Sequence, residues 1–235
     1  ALPIWTEFLI GGEQNVSVSA DTSDPVNKTI VTGSKENILY DQYQKVAAAK
    51  GRLIQQEHQA FMVSATKADS ALHEKKYMAL INELNDYREG IIKNQSTSMM
   101  AALLSAMKEP VAPTKVPVTR QDSIDNFNEY KKHYWDGISF MDDRIIRTPF
   151  FLKKVERYYR EVVSPEPDSI IKDVDYKLLL ARSSPEMYKF LLNWLTDEFI
   201  NQKYMGQDAV FGHLFEKYHS KGASPWLNEK QMESI

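Results

Sequence analysis

The sequence contains no cysteine. Structural disulfides, thiolate zinc sites, cysteine nucleophiles and thiol redox chemistry are therefore excluded within these 235 residues. The compartment stays open, because a chain without thiols is stable on either side of a membrane. No apolar run approaches the roughly 18 residues that a membrane span needs. Glycine is scarce, and the nine present never form a phosphate-cradling G-x-G-x-x-G or G-x-x-x-x-G-K-[ST] loop. H-E-x-x-H and G-x-S-x-G are absent too. Lysine and arginine number 29 against 32 acidic residues, a net charge of -3. That balance gives no field for a nucleic-acid partner or an anionic membrane surface. What remains is 43% hydrophobic and 26% charged, a globular composition long enough for one large domain or two modest ones. Residue chemistry by itself selects no reaction.

The patterning predicts a mainly α fold: a long helical hairpin plus an irregular helical bundle, with a small N-terminal β remnant that ends a β-sandwich. Residues 1–33 are the only β-like part. Trp5–Ile10 is a short apolar run, Gly11–Gln14 is turn chemistry, and Asn15–Ala20 alternates with Val16 and Val18 on one face. Thr29–Thr32 is a last strand, after a polar loop containing Pro25. Residues 34–108 read as a helical hairpin followed by a short Met-rich helix. Ser34 caps a helix from Lys35 to about Ala65, with Leu39, Tyr43, Val46, Leu53 and Ala60 on a 4-3 spacing that Lys50 and Glu57 interrupt. A second helix, about Ala68 to Asn94, carries Tyr77, Leu80, Leu84, Tyr87 and Ile91 at coiled-coil spacing. Ser96 or Ser98 caps a third, Met99 to Met107.

Residues 109–121, with Pro110, Pro113 and Pro117, read as a semi-rigid linker. Residues 122–235 read as the bundle. Its helices run from Asp122 to Tyr134, from Pro149 to about Val163, from Asp168 to Ala181, from Pro185 to about Lys203 and from Asp208 to Tyr218. Asp168 and Asp208 are expected as N-caps. Both ends of the chain, Leu2–Ile10 and a helix starting at Asn228, read as structural sequence cut from a longer polypeptide.

Three groups of residues invite a functional reading. The stretch Arg144 to Arg160 sets six basic residues, Arg144, Arg147, Lys153, Lys154, Arg157 and Arg160, against one acid and among four aromatics. Such a pattern makes a partner-binding surface or an internal salt-bridge network. His213 and Glu216, at i and i+3, share a helix face, with His219 near the helix end; all three are metal candidates, but a further ligand would have to come from elsewhere. Asp142, Asp143, Asp168, Asp173 and Asp175 are carboxylates with no companion catalytic motif. No cofactor is expected. The competing classes are a metal-dependent hydrolase-like enzyme and a stand-alone scaffold that dimerises through the hairpin.

Several segments together carry a resemblance. They are Gly33–Asn37 after a short strand, Arg147–Phe151, Pro167–Ile171, Met205–Phe211, and Glu216–Tyr218 with Gly222 and Trp226. This series resembles the helical domain of uncharacterised function in bacterial cell-envelope thioredoxin-like proteins. There it lies between a β-sandwich and a thioredoxin-like domain of the peroxiredoxin/thiol-reductase type. The resemblance spans residues 34–235. It implies a non-catalytic accessory module, outside the cytoplasm, whose partners are a thioredoxin-like domain in the same polypeptide and its protein substrate. That family's chemistry uses a Cys-x-x-Cys, and no catalytic residue is carried over to a chain without cysteine.

Overall fold

The computed structural model describes residues 7–10, 15–21, 23–24, 27–111, 116–228 and 230. The expected Gly11–Gln14 turn lies outside them, as do Trp5, Pro25 and nearly all of the helix expected after Asn228. The fold is mainly α, with one two-stranded sheet at the N-terminal end. The chain divides into two compact units, residues 1–104 and 105–235. The division falls inside a helix, whereas the proline-rich segment 109–121 follows it.

In the first unit, β1 (Ser17–Ser19) pairs antiparallel with β2 (Ile30–Thr32), with Val18 opposite Val31. Gly33 then turns the chain into α1 (Lys35–Met62) at φ 87°, the left-handed region that glycine adopts freely. A Cβ at this position would lie 2.0 Å from the Asn15 carbonyl oxygen. Gly33→Ala is therefore expected to destabilise the unit by about 1–3 kcal/mol. Amide exchange should accelerate in β1 and in the first turn of α1, and unchanged exchange there would contradict this reading.

Ser34 caps α1 by accepting the Asn37 N–H at 3.1 Å. The buried Asn37 side chain then pins the segment at Leu9. Its Oδ1 accepts the Leu9 N–H and its Nδ2 donates to the Leu9 carbonyl, both at 2.8 Å.

Helix α2 (Lys67–Asn94) runs back along α1. Tyr43 stacks parallel on Tyr87, and Arg88 Nε donates to the Tyr43 hydroxyl at 3.0 Å. Farther along, Lys50 pairs with Glu83, and Glu57 with His73 at 2.7 Å. The two polar interruptions of the apolar stripe are therefore cross-helix pairs, which fix register more than they add stability. Between Tyr43 and Leu84 no side chain is buried, so the far part of the hairpin has no core of its own. Helix α3 (Met99–Met107) starts on Ser98, whose hydroxyl accepts the Ala101 N–H at 2.9 Å. The Glu36 carboxylate accepts the N–H groups of Met99 and Met100, meeting the positive end of the helix.

The second unit holds α4 (Arg120–Lys132), α5 (Phe151–Arg157), α6 (Pro167–Ala181), α7 (Pro185–Ile200) and α8 (Asp208–Leu214), with a 3₁₀ turn at Asp143–Arg147. Thr119 and Asp122 form a capping box on α4. Asp168 and Asp208 are not caps. Each lies inside its helix, after Glu166 or Gln207, and neither flanking residue caps through its side chain. Pro167 at the first position of α6 supplies the start instead.

Helices α5 and α8 both continue as π-helical turns, Tyr158–Val162 and Phe215–His219. The Val163 N–H reaches the Tyr158 carbonyl, and the Ser220 N–H the Phe215 carbonyl, each five residues back. Widening the turn brings consecutive residues to one side, and Tyr158 and Tyr159 are both buried. The core around them is Phe151, Val155, Ile170, Val174, Leu191, Leu192 and Leu195, fully or almost fully enclosed.

Candidate functional site

Helix α6 organises the polar interior of the second unit, because two of its carboxylates, Asp173 and Asp175, meet the two π-helical turns. Asp173 faces inward. Its Oδ1 accepts the Tyr158 hydroxyl at 2.8 Å and lies 3.5 Å from Lys177 Nζ. Lys177 is only 6% exposed. Its ammonium sits 5.3–5.5 Å from the ring centres of Trp135, Phe140, Tyr158 and Tyr176. Burial lowers its pKa, and the charge of Asp173 opposes that shift. Nothing in the sequence marks this aromatic cage, whose walls come from separated segments. A lysine in the stripe of α6 was the one available signal.

Asp175 faces an open groove. Its Oδ1 accepts His213 Nε2 at 2.8 Å and the Tyr218 hydroxyl at 2.7 Å, and its Oδ2 accepts Lys217 Nζ at 2.7 Å. Burial raises the Asp175 pKa, but these three donors outweigh it and hold the carboxyl below its ordinary value. The groove beside it has a volume of about 610 Å³ and is lined by α6, α7, the second π-helical turn and the loop at Ala223. Leu178, Leu179, Tyr188 and Tyr218 give it an apolar floor. Leu179 is 60% exposed there. Its volume is that of a ligand site. Three of the donors around the groove already go to the Asp175 carboxylate.

The basic stretch does not form one surface. Arg144 grips Asp142 through Nε at 2.8 Å and Nη2 at 2.6 Å. Arg160 makes the same forked pair with Glu198, at 2.8 and 2.6 Å. Arg157 bonds Glu109 at 2.8 Å. Lys154 is buried, donates to the Lys108 carbonyl and lies over the Tyr134 ring. Only Arg147 and Lys153 are exposed and form no ion pair among the described residues. Four of the six candidates thus already have a partner within the unit, so their replacement by Glu would break those contacts as well as change the surface charge.

The metal candidates separate in the same way. His213 goes to Asp175, while His219 is buried against Thr196 and Ser224. Among the described residues no three His, Asp or Glu side chains converge on a cation position. Thr196 donates its hydroxyl to the Leu192 carbonyl, so it accepts from His219 Nε2, which leaves Nδ1 to accept from Ser224. Burial disfavours the charged imidazolium and lowers the His219 pKa below the ordinary 6.5. Because the unfolded chain then binds the proton more tightly, stability is complete above pH 6.5 and falls as the solution is acidified through that value. His219→Gln is expected to flatten this slope in urea titrations between pH 5 and about pH 8. An unchanged slope would assign the acid loss to other groups.

On the hairpin, Leu53, Leu72 and Met78 are exposed. No helix among the described residues is long and apolar enough to cross a membrane. Comparison of the chain with protein-family models finds no match, and comparisons with curated proteins and with solved structures find none either.

Proposed function

We propose that this chain is a non-catalytic helical binding module, and that it serves as the accessory region of an extracytoplasmic thioredoxin-like thiol–disulfide protein. The observation that carries the binding reading is the Asp175 groove, with apolar side chains exposed beside a carboxylate that three donors of its own unit hold in place. Such a site can hold a partner, and the non-catalytic part of the reading rests on the resemblance, whose chemistry uses a Cys-x-x-Cys that this chain does not contain. The resemblance across residues 34–235 supports the rest: the partner is a thioredoxin-like domain in the same polypeptide or its protein substrate, and the location is the cell envelope or periplasm. Intact mass and peptide mapping of the native protein test this reading. It predicts that the native chain continues past Ile235 into a cysteine-bearing domain. A native chain ending at Ile235 would remove the thioredoxin link.

A second reading rests on the coreless far part of the hairpin, where Leu53, Leu72 and Met78 are exposed. Two copies pairing these arms would make a scaffold dimer. Light scattering across a concentration series separates the readings, since a monomer at all concentrations excludes the dimer.

A further inference from the structure

The groove beside Asp175 contains a cation with no acidic partner among the described residues. Lys217 is neutralised by Asp175, whereas the exposed Arg182 has no carboxylate partner among the described residues. Two phenols, Tyr176 and Tyr188, also line the groove, and their hydroxyls have no hydrogen-bond partner among the described residues. Leu178 and the exposed Leu179 line the same groove.

We infer that the groove takes the C-terminal end of a partner peptide, its last apolar side chain on Leu178 and Leu179 and its free carboxylate on Arg182. This deepens the binding reading above and rests on it. Charge complementarity selects an anion, and a guanidinium matches a carboxylate through two parallel N–H bonds. The unpartnered phenols suit the carbonyl and N–H groups of a peptide backbone, which an acyl chain lacks. The shape agrees: about 610 Å³ in an open groove accommodates one or two residues but gives a long acyl chain no enclosed channel.

Fluorescence anisotropy with the 235-residue chain tests the assignment. The probes are a fluorescein-labelled hexapeptide ending in leucine with a free carboxylate, the same peptide as its C-terminal amide, and dodecanoate as competitor. The acid should bind saturably and the amide about tenfold more weakly. Arg182→Gln should weaken the acid by the same factor and abolish the difference between acid and amide. Leu179→Asp should remove binding of both. Arg182 and Leu179 are exposed, so thermal unfolding of both variants should match the parent. Equal binding of acid and amide, no binding of either, or displacement by dodecanoate at equal concentration would each overturn the inference. Peptide mapping is independent of this outcome. A native protein that carries the cysteine-bearing domain but whose groove ignores the peptide would fail this inference alone.

Discussion

Replacing Lys177 by methionine is expected to destabilise the second unit by about 3–5 kcal/mol, the usual effect of stripping one member from a buried ion pair. The ammonium has left water for a cage of four rings and one carboxylate. Removing it leaves Asp173 charged, with its side chain 15% exposed and only the Tyr158 hydroxyl at 2.8 Å in compensation. Asp173 Oδ2 already has no hydrogen-bond partner among the described residues. The double variant Lys177→Met, Asp173→Leu should recover most of the loss, because no uncompensated charge is then buried. Urea unfolding followed by tryptophan fluorescence measures it, since Trp135 is a wall of the cage. A single variant within about 1 kcal/mol of the parent would show that the cage is solvated in practice.

The second large effect is expected at Phe151, and its neighbour is the control. Phe151 is 0% exposed and touches Trp135, Phe140 and Phe190 with ring centres 5.6–6.5 Å apart. Phe151→Ala should cost about 3–5 kcal/mol, the lost transfer energy plus the cavity left behind. Phe150 is 36% exposed at the N-cap position of α5, and Phe150→Ala should cost less than about 1 kcal/mol. Equal losses would mean that both rings are core.

That pair shows what patterning conveys and what it does not. The stripe through Phe150, Phe151, Val155 and Tyr158 announces a helix and an inward side, but not which of two adjacent rings turns in. Only the observed start of α5 settles it. The hairpin, the Ser34 cap and the span Met99–Met107 were legible because each depends on local spacing or a local hydrogen bond. The π-helical turns were not, since both Tyr158–Val162 and Phe215–His219 read as ordinary helix. Their register follows from what they pack against, and they bring Tyr158 to Asp173 and Tyr218 to Asp175.

The candidate site was correspondingly hidden. Sequence spacing joins His213 to Glu216, three residues away, whereas the fold joins it to Asp175, in a different helix. The basic stretch misleads for the same reason. The acids Asp142, Glu109 and Glu198 lie outside the run Arg144–Arg160, so three of its six cations find partners that spacing within the run does not show. Even the capping role expected of Asp168 went to a proline start, because Pro167 already occupies the first helical position.

Amide hydrogen exchange on the native polypeptide, compared with the isolated 235-residue chain, tests the central claim most directly. If the Asp175 groove is the docking surface, protection in the native protein should increase at Tyr176–Arg182 and at Tyr218–Ala223, which line it together with Tyr188. Unchanged exchange at both segments, or new protection confined to the α1–α2 arm, would contradict the claim and transfer the binding role to the hairpin.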